Sequence, residues 1–190
     1  MAVFGAPYPR VEDADNAVRV AVEMLAALEQ FNLSRARSGQ EPIGVRIGIS
    51  TGEVVAGNIG SSKRMDYTVI GDGVNIAARL EAANKRYGTR VLISESTHKR
   101  LSDRSHTRLI DRLQVKGARE PIDIYEVLSA PPGPHIHSFA TGVRAFRTGD
   151  VCTAQSAFER ALLLAPDDRP SHFYLERIAE KRGTTSPPEE

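Results

Sequence analysis

Residues 64–81, RMDYTVIGDGVNIAARLE, constrain this chain more than any other stretch: they read as a strand, a tight turn and a helix in direct succession. Residues 65–70 are rich in β-branched and aromatic side chains, which favours an extended strand. Gly71-Asp72-Gly73 interrupts it, since two glycines in three residues admit backbone angles that other residues resist. From Val74 onward, Ile76, Leu80, Ala83 and Tyr87 recur at helical spacing and predict one buried face. Asp72 is expected to cap that helix. Asn75 and Arg79, four residues apart, share a neighbouring face near its start. Free N–H groups and the backbone dipole already favour anions there, so an amide and a guanidinium suit a sugar phosphate. On spacing alone, an exposed polar pair fits equally well.

Upstream, Ala17, Ala21, Met24, Leu25, Leu28 and Phe31 predict a helix over 17–31, with Glu12, Asp13 and Asp15 as its cap and first turn. A polar turn region follows at 34–41. Residues 45–50 and 53–59 read as short strands joined at Thr51-Gly52 in a hairpin. The glycine and serine loop 57–63 lacks the spacing of a phosphate-binding G-x-x-x-x-G-K-[ST] loop and is expected to be a hairpin connection. A strand at 90–94, a short helix at 95–101 and strands at 108–115 and 122–128 complete an α+β pattern, helices on a mixed sheet. Asp66, beside Arg64 in its strand, is expected to pair or to be solvated.

The composition changes at APPGP, residues 130–134, where three prolines and a glycine cannot continue either regular structure. Beyond it, helices are expected over 137–148, 151–165 and 171–181, with a turn at Gly149-Asp150. Phe139, Gly142, Phe146, Ala154, Phe158, Ala161 and Pro166 fit the small and large positions of a tetratricopeptide repeat. One and a half repeats cannot bury a core alone, so they must pack on the preceding part, on another copy or on a partner. His135 and His137 read as linker residues, because two imidazoles without further ligands rarely hold a metal. Cys152 reads as packed in a helix. The expected division is 1–129, a linker at 130–136, a helical segment at 137–182 and a disordered tail at 183–190.

The string at 64–81 resembles the class III nucleotidyl cyclases, the adenylate and guanylate cyclase family, whose motif is a strand, a Gly-Asp turn and V-N-x-A-x-R-L. FGAP at 4–7, VRIGISTG at 45–52 and VKG at 115–117 extend the resemblance, in order, over residues 1 to about 128. It implies a ferredoxin-like cyclase palm, here incomplete, with an active site between two catalytic domains. By the same resemblance Asn75 orients the ribose, and Arg79 stabilises charge building on the α-phosphate. Lys116 holds the terminal phosphates, and Arg46 contacts phosphate from the metal-bearing side. A solvated turn lysine and an edge-strand charge are equally compatible with Lys116 and Arg46. Thr68 occupies the position that reads the purine edge; Asp or Thr there goes with adenylate cyclases, so adenine is favoured.

Two family aspartates that bind Mg or Mn have no counterpart in the chain, and neither has the adenine-reading lysine. The resemblance therefore implies ATP as substrate, cyclic AMP and pyrophosphate as products, and no activity without an upstream portion or a metal-bearing partner domain. Two other readings stay open: a non-catalytic interaction module that binds a protein partner through its helices, and a truncated gene product. Lys and Arg number 25 against 24 Asp and Glu, which argues for neither nucleic acid nor an anionic membrane as partner. One cysteine excludes an internal disulfide framework and suits a reducing cytoplasm. No apolar run is long enough to span a bilayer.

Overall fold

The computed structural model describes residues 1–61, 64–114 and 120–183. Four strands form the main sheet: β1 (Ile47–Ile49), β4 (Val91–Ser94), β5 (Thr107–Leu113) and β6 (Ile122–Val127). Their order is β1-β4-β6-β5, with β1 parallel to β4 and the other pairs antiparallel. Strands β2 (Val55–Ser61) and β3 (Arg64–Ile70) pair only with each other in a separate two-stranded sheet.

Helices cover both faces of the main sheet. On one face, α1 (Asp13–Arg37) sets Ala14, Ala21 and Leu25 against Val91, Ile93, Leu101 and Val127. Asp13 and Asp15 sit in its first turn and Arg35 and Arg37 in its last, each complementing the helix dipole. Asp15 also accepts from the backbone and hydroxyl of Ser102 at 3.0 Å, tying α1 to the turn after α3 (Glu95–Arg100). The opposite face packs Leu92, Ile110 and Ile124 under α2 (Asp72–Tyr87), α4 (His135–Thr148), α5 (Val151–Leu164) and α6 (Arg169–Gly183). Strand β4 is buried along its whole length because Val91 and Ile93 face α1 while Leu92 faces the other layer.

The three C-terminal helices share one core with the sheet. Phe139, Phe158 and Tyr174 join Leu80, Tyr87, Ile110 and Ile124 in a single cluster, so the segment packs on the preceding part of the chain. Each such side chain contributes about 1.5–3 kcal/mol when fully buried. Gly142 admits the Phe158 ring so closely that a Cβ there would lie 2.6 Å from it. Phe158 and Tyr174 stack with centroids 4.7 Å apart.

A buried ionic cluster reinforces this docking. Arg108 on β5 donates from Nε to Glu126 of β6 and from Nη2 to Asp168, both at 2.7 Å. Asp168 accepts in turn from the backbone N–H and hydroxyl of Ser171, and the guanidinium lies 4.7 Å over the Phe139 ring. Burial pushes the Glu126 carboxyl up, against the pull of Arg108.

Several expectations are corrected. Residues 45–50 and 53–59 do not form a hairpin: β1 pairs with β4, and β2 with β3. Gly48 seats α2 on β1, because its bare backbone lets the helix lie directly on the strand; a Cβ would come to 2.1 Å from Ala77 O and 2.4 Å from Glu81 N. Gly48→Ala should therefore lower stability by about 1–3 kcal/mol, read from a urea unfolding midpoint. Residues 57–61 of the expected loop are strand, while 62 and 63 lie outside the described residues. Helix α1 runs through residues 34–37, expected as turn, and stops at Gly39, whose φ of +67° suits a helix end. His135 and His137 lie in the first turn of α4, because Pro134 starts that helix rather than preventing it. Cys152 is exposed, since α5 turns Ala154, Ala157, Phe158 and Ala161 inward. The side chains of Arg64 and Asp66, the VKG tripeptide and residues 184–190 lie outside the described ones.

Candidate active site

The start of α2 is shaped by three glycines and the loop at residues 50–54. Gly71 lies against Glu53 O and Val54, where a Cβ would come to 2.8 Å from the carbonyl oxygen. Gly73 faces Gly52 at 3.7 Å measured the same way. Backbone thus meets backbone around the first turn, with Gly73 buried against the loop. Gly71 is the capping residue and no side chain caps the helix; Asp72 is its first helical residue, not the expected cap. A glycine cap provides no side-chain oxygen, so the dipole end remains available to an external anion.

A hydroxyl cluster that sequence reasoning missed steadies the loop. Ser96 Oγ donates to Thr51 O at 2.6 Å, and Thr51 Oγ1 lies 3.0 Å from Thr97 Oγ1. Ser94 caps α3 through Thr97 N and also contacts the Ser96 and Thr97 hydroxyls. The cap signature S-x-x-T ahead of the 95–100 helix was the available signal. Its reach to Thr51, 45 residues earlier than Ser96, was not visible locally.

Asn75 is exposed in the first turn of α2, and Arg79, one turn on near the middle of the helix, is half-buried. Among the described residues neither has a hydrogen-bond or ion-pair partner within the chain. Thr68 is half-buried in β3, opposite Gly57 and four residues before α2 begins. These three positions therefore fall on one continuous strand–turn–helix.

Arg46 lies elsewhere. Along the line where β1 meets α2, Gly52 faces Gly73, Gly48 faces Ala77 and Glu81, and Ile47 O accepts from Asn84 Nδ2 at 3.0 Å. The two elements run in opposite directions, so the exposed Arg46, just ahead of β1, sits near the C-terminal half of α2. At ~1.5 Å per residue, Asn84 alone is roughly 14 Å along the helix from Asn75. Lys116 lies outside the described residues.

Among the described residues no group of three or more His, Cys, Asp or Glu side chains could hold a metal ion. The donors among the described residues do not fit a divalent-cation centre. No helix among those residues is long and apolar enough to cross a membrane.

The curated relatives share this segment. The chain is 39% identical over 127 residues to adenylate cyclase 1 of Rhizobium meliloti (strain 1021), covering 67% of this chain and 19% of that protein. It is 44% identical over 122 residues to adenylate cyclase of Anabaena cylindrica, covering 60% of this chain and 24% of that one. The chain thus spans about a fifth to a quarter of the length of these relatives. Among solved structures it resembles the guanylyl cyclase Cya2, with 40% identity, a TM-score of 0.56, and coverage of 69% of this chain and 65% of that one. The adenylyl cyclase CyaB from P. aeruginosa is 32% identical, with a TM-score of 0.53 and 68% of each chain covered. Residues 1–129 match the model of the adenylate and guanylate cyclase catalytic domain, and the chain belongs to that family.

Proposed function

We propose that this chain supplies the ribose- and α-phosphate-stabilising side of an adenylate cyclase site, completed by a second cyclase domain. The reaction is ATP to cyclic AMP and pyrophosphate: the ribose 3′ oxygen bonds to the α-phosphorus while the bond to the β-phosphate bridging oxygen breaks. The single observation that carries the reading is the first half of α2. Its first turn has no side-chain cap, Asn75 stands in that turn and Arg79 one turn further on, and among the described residues neither has a partner within the chain.

Asn75 offers both a donor and an acceptor, which suits holding the ribose. Arg79 is always charged, and its planar fork reaches several oxygens at once, which suits charge developing on the α-phosphate. Lys116 would hold the terminal phosphates. Arg46, at the other end of α2, would face the second of two composite sites, for which this chain offers no family metal aspartates. Mg or Mn would be held by carboxylates of the partner domain. Apolar surface beside the site supports such a partner: Val55 and Ile70, opposite each other in the β2–β3 pair, are 69% and 56% exposed.

The test is a mixing experiment. The full chain is added to a metal-binding cyclase domain whose own arginine matching Arg79 has been replaced by alanine. Cyclic AMP should form only in the mixture. The base preference follows from the same assay with GTP: ATP should be used better, and Thr68→Cys should narrow the difference. Equal use of both nucleotides by the unaltered mixture would remove the adenylate assignment.

A second reading rests on the helical segment, taken as tetratricopeptide-like and docking a protein partner. The observation favouring it is the end of α5, where Leu163 is 84% exposed and Leu164 about half exposed. That reading expects a stable complex indifferent to ATP and unaffected by Asn75→Ala or Arg79→Ala.

A further inference from the structure

The family match ends at residue 129, yet the last helix of the chain grips the helix that carries the site. Asp111 on β5 is the joint. Its Oδ2 accepts from Tyr87 Oη at 2.8 Å, in the last turn of α2, and from Arg177 Nη1 at 3.0 Å, on α6. The carboxylate reaches both because the β5–β6 register shifts between Leu109 and Asp111, so Ile110 and Asp111 are both buried where strand alternation would bury only one. Phe173 of α6 stands edge-on to Tyr87 with centroids 4.8 Å apart. Gly88, which ends α2 with φ +70°, lies so close to the Arg169 side chain that a Cβ there would come to 2.4 Å. Burial, and then the neighbouring Asp111 charge, push the Tyr87 phenol up, so it remains a donor across the ordinary pH range.

Along its length α2 rests on β1, a three-residue edge strand, and on the loop after it, from Asn84 against Ile47 through Gly48 opposite residues 77–81 to Gly73 beside Gly52. A rigid helix seated on so short a strand carries an axial shift of Tyr87 undiminished to Arg79 and Asn75, eight and twelve residues earlier. Displacements of about 0.5 Å are enough to spoil a catalytic geometry.

We propose that α6 is a positioning element for the site at the start of α2, acting through Asp111, so that loosening the helical tail displaces Asn75 and Arg79 without touching them. The functional half of this inference rests on the cyclase reading above; the mechanical half does not. Tyr87, Asp111 and Arg177 are positioning residues, since none lies at the uncapped end of α2.

The experiment measures amide hydrogen exchange by NMR on the full chain and on Tyr87→Phe, Arg177→Met and Arg177→Lys. Exchange at residues 76–80 should rise about five- to tenfold relative to Leu92 and Ile93 of β4 in Tyr87→Phe and Arg177→Met, and by less in Arg177→Lys. A parallel rise in both regions, or a rise confined to α6, would overturn the coupling. Tyr87→Phe keeps the ring and Arg177→Lys keeps the charge, so at least these two should remain folded. In the mixing assay, Arg177→Met should lower kcat about three- to tenfold at unchanged KM for ATP. Altered exchange with unchanged kcat in an active mixture would overturn the control of the site. If no mixture makes cyclic nucleotide, the cyclase reading fails while the exchange result still decides the coupling.

Discussion

Arg79→Ala should abolish the cyclic AMP formed when this chain is mixed with a metal-binding cyclase domain lacking its own matching arginine. Removing one group that stabilises charge in the transition state costs about 10²–10³ in kcat, or roughly 2.7–4 kcal/mol. Because that interaction strengthens only as charge builds on the α-phosphate, kcat should fall while KM for ATP stays nearly constant. Arg79→Lys should recover part of the rate, since it restores charge without the planar fork. Asn75→Ala is expected to weaken catalysis less, having no formal charge to lose. Unimpaired cyclic AMP formation by the Arg79→Ala mixture would eliminate the complementation model. Half-burial of Arg79 and its lack of an internal partner among the described residues make the experiment clean: its removal strips none of those acids of a cation.

The opposite holds for Arg108. Arg108→Met should destabilise the fold by about 3–5 kcal/mol, because two buried acids lose the cation they share. Glu126 and Asp168 would each keep a desolvated charge, and the methionine would leave their hydrogen bonds unfilled. The effect should depend on pH with a definite sign. Burial already pushes Glu126 up in the folded protein, and without Arg108 nothing in that pair pulls it down. A carboxyl whose folded value lies above its unfolded value binds more protons when folded, so stability rises as pH falls through that window. The deficit of the variant should therefore narrow between about pH 8 and about pH 5. Urea midpoints of both proteins at the two pH values would check it; a deficit that widened on acidification would refute the account.

Much of the local structure was legible because it is dictated locally. The alternation of Ile76, Leu80, Ala83 and Tyr87 announces α2, and the structure buries Leu80 and Tyr87 as that spacing requires. Asp150 caps α5 through Thr153 N, and Gly149 ends α4 at φ +84°, where the turn was expected. Pairing across distance was not legible. Nothing near 45–59 reveals that β1 belongs beside residues 91–93, since its partner strand lies more than 40 residues on in sequence. Arg108 reads as an ordinary strand charge and Asp168 as a turn residue, and only the fold joins them. The docking of α4–α6 had a weaker signal. Phe139, Phe158 and Tyr174 are more apolar surface than one and a half repeats can hide among themselves, without saying where it goes. At the site, the motif located Asn75, Arg79 and Thr68 together. The separation of Arg46 follows from the antiparallel course of β1 and α2, which no motif encodes.

The layering of the sheet has a consequence for synthesis. One face of β4 is closed by α1, made before the sheet, and the other partly by α2 and then by helices made after β6. Leu92, Ile110 and Ile124 consequently have only α2 over them, without α4–α6, while residues 129–183 are still being added. At ~5–20 residues per second that interval lasts roughly 3–11 s. During it the nascent chain presents a wet apolar sheet, the kind of surface that holding chaperones bind. Premature release in this interval should yield aggregates rather than a smaller working domain.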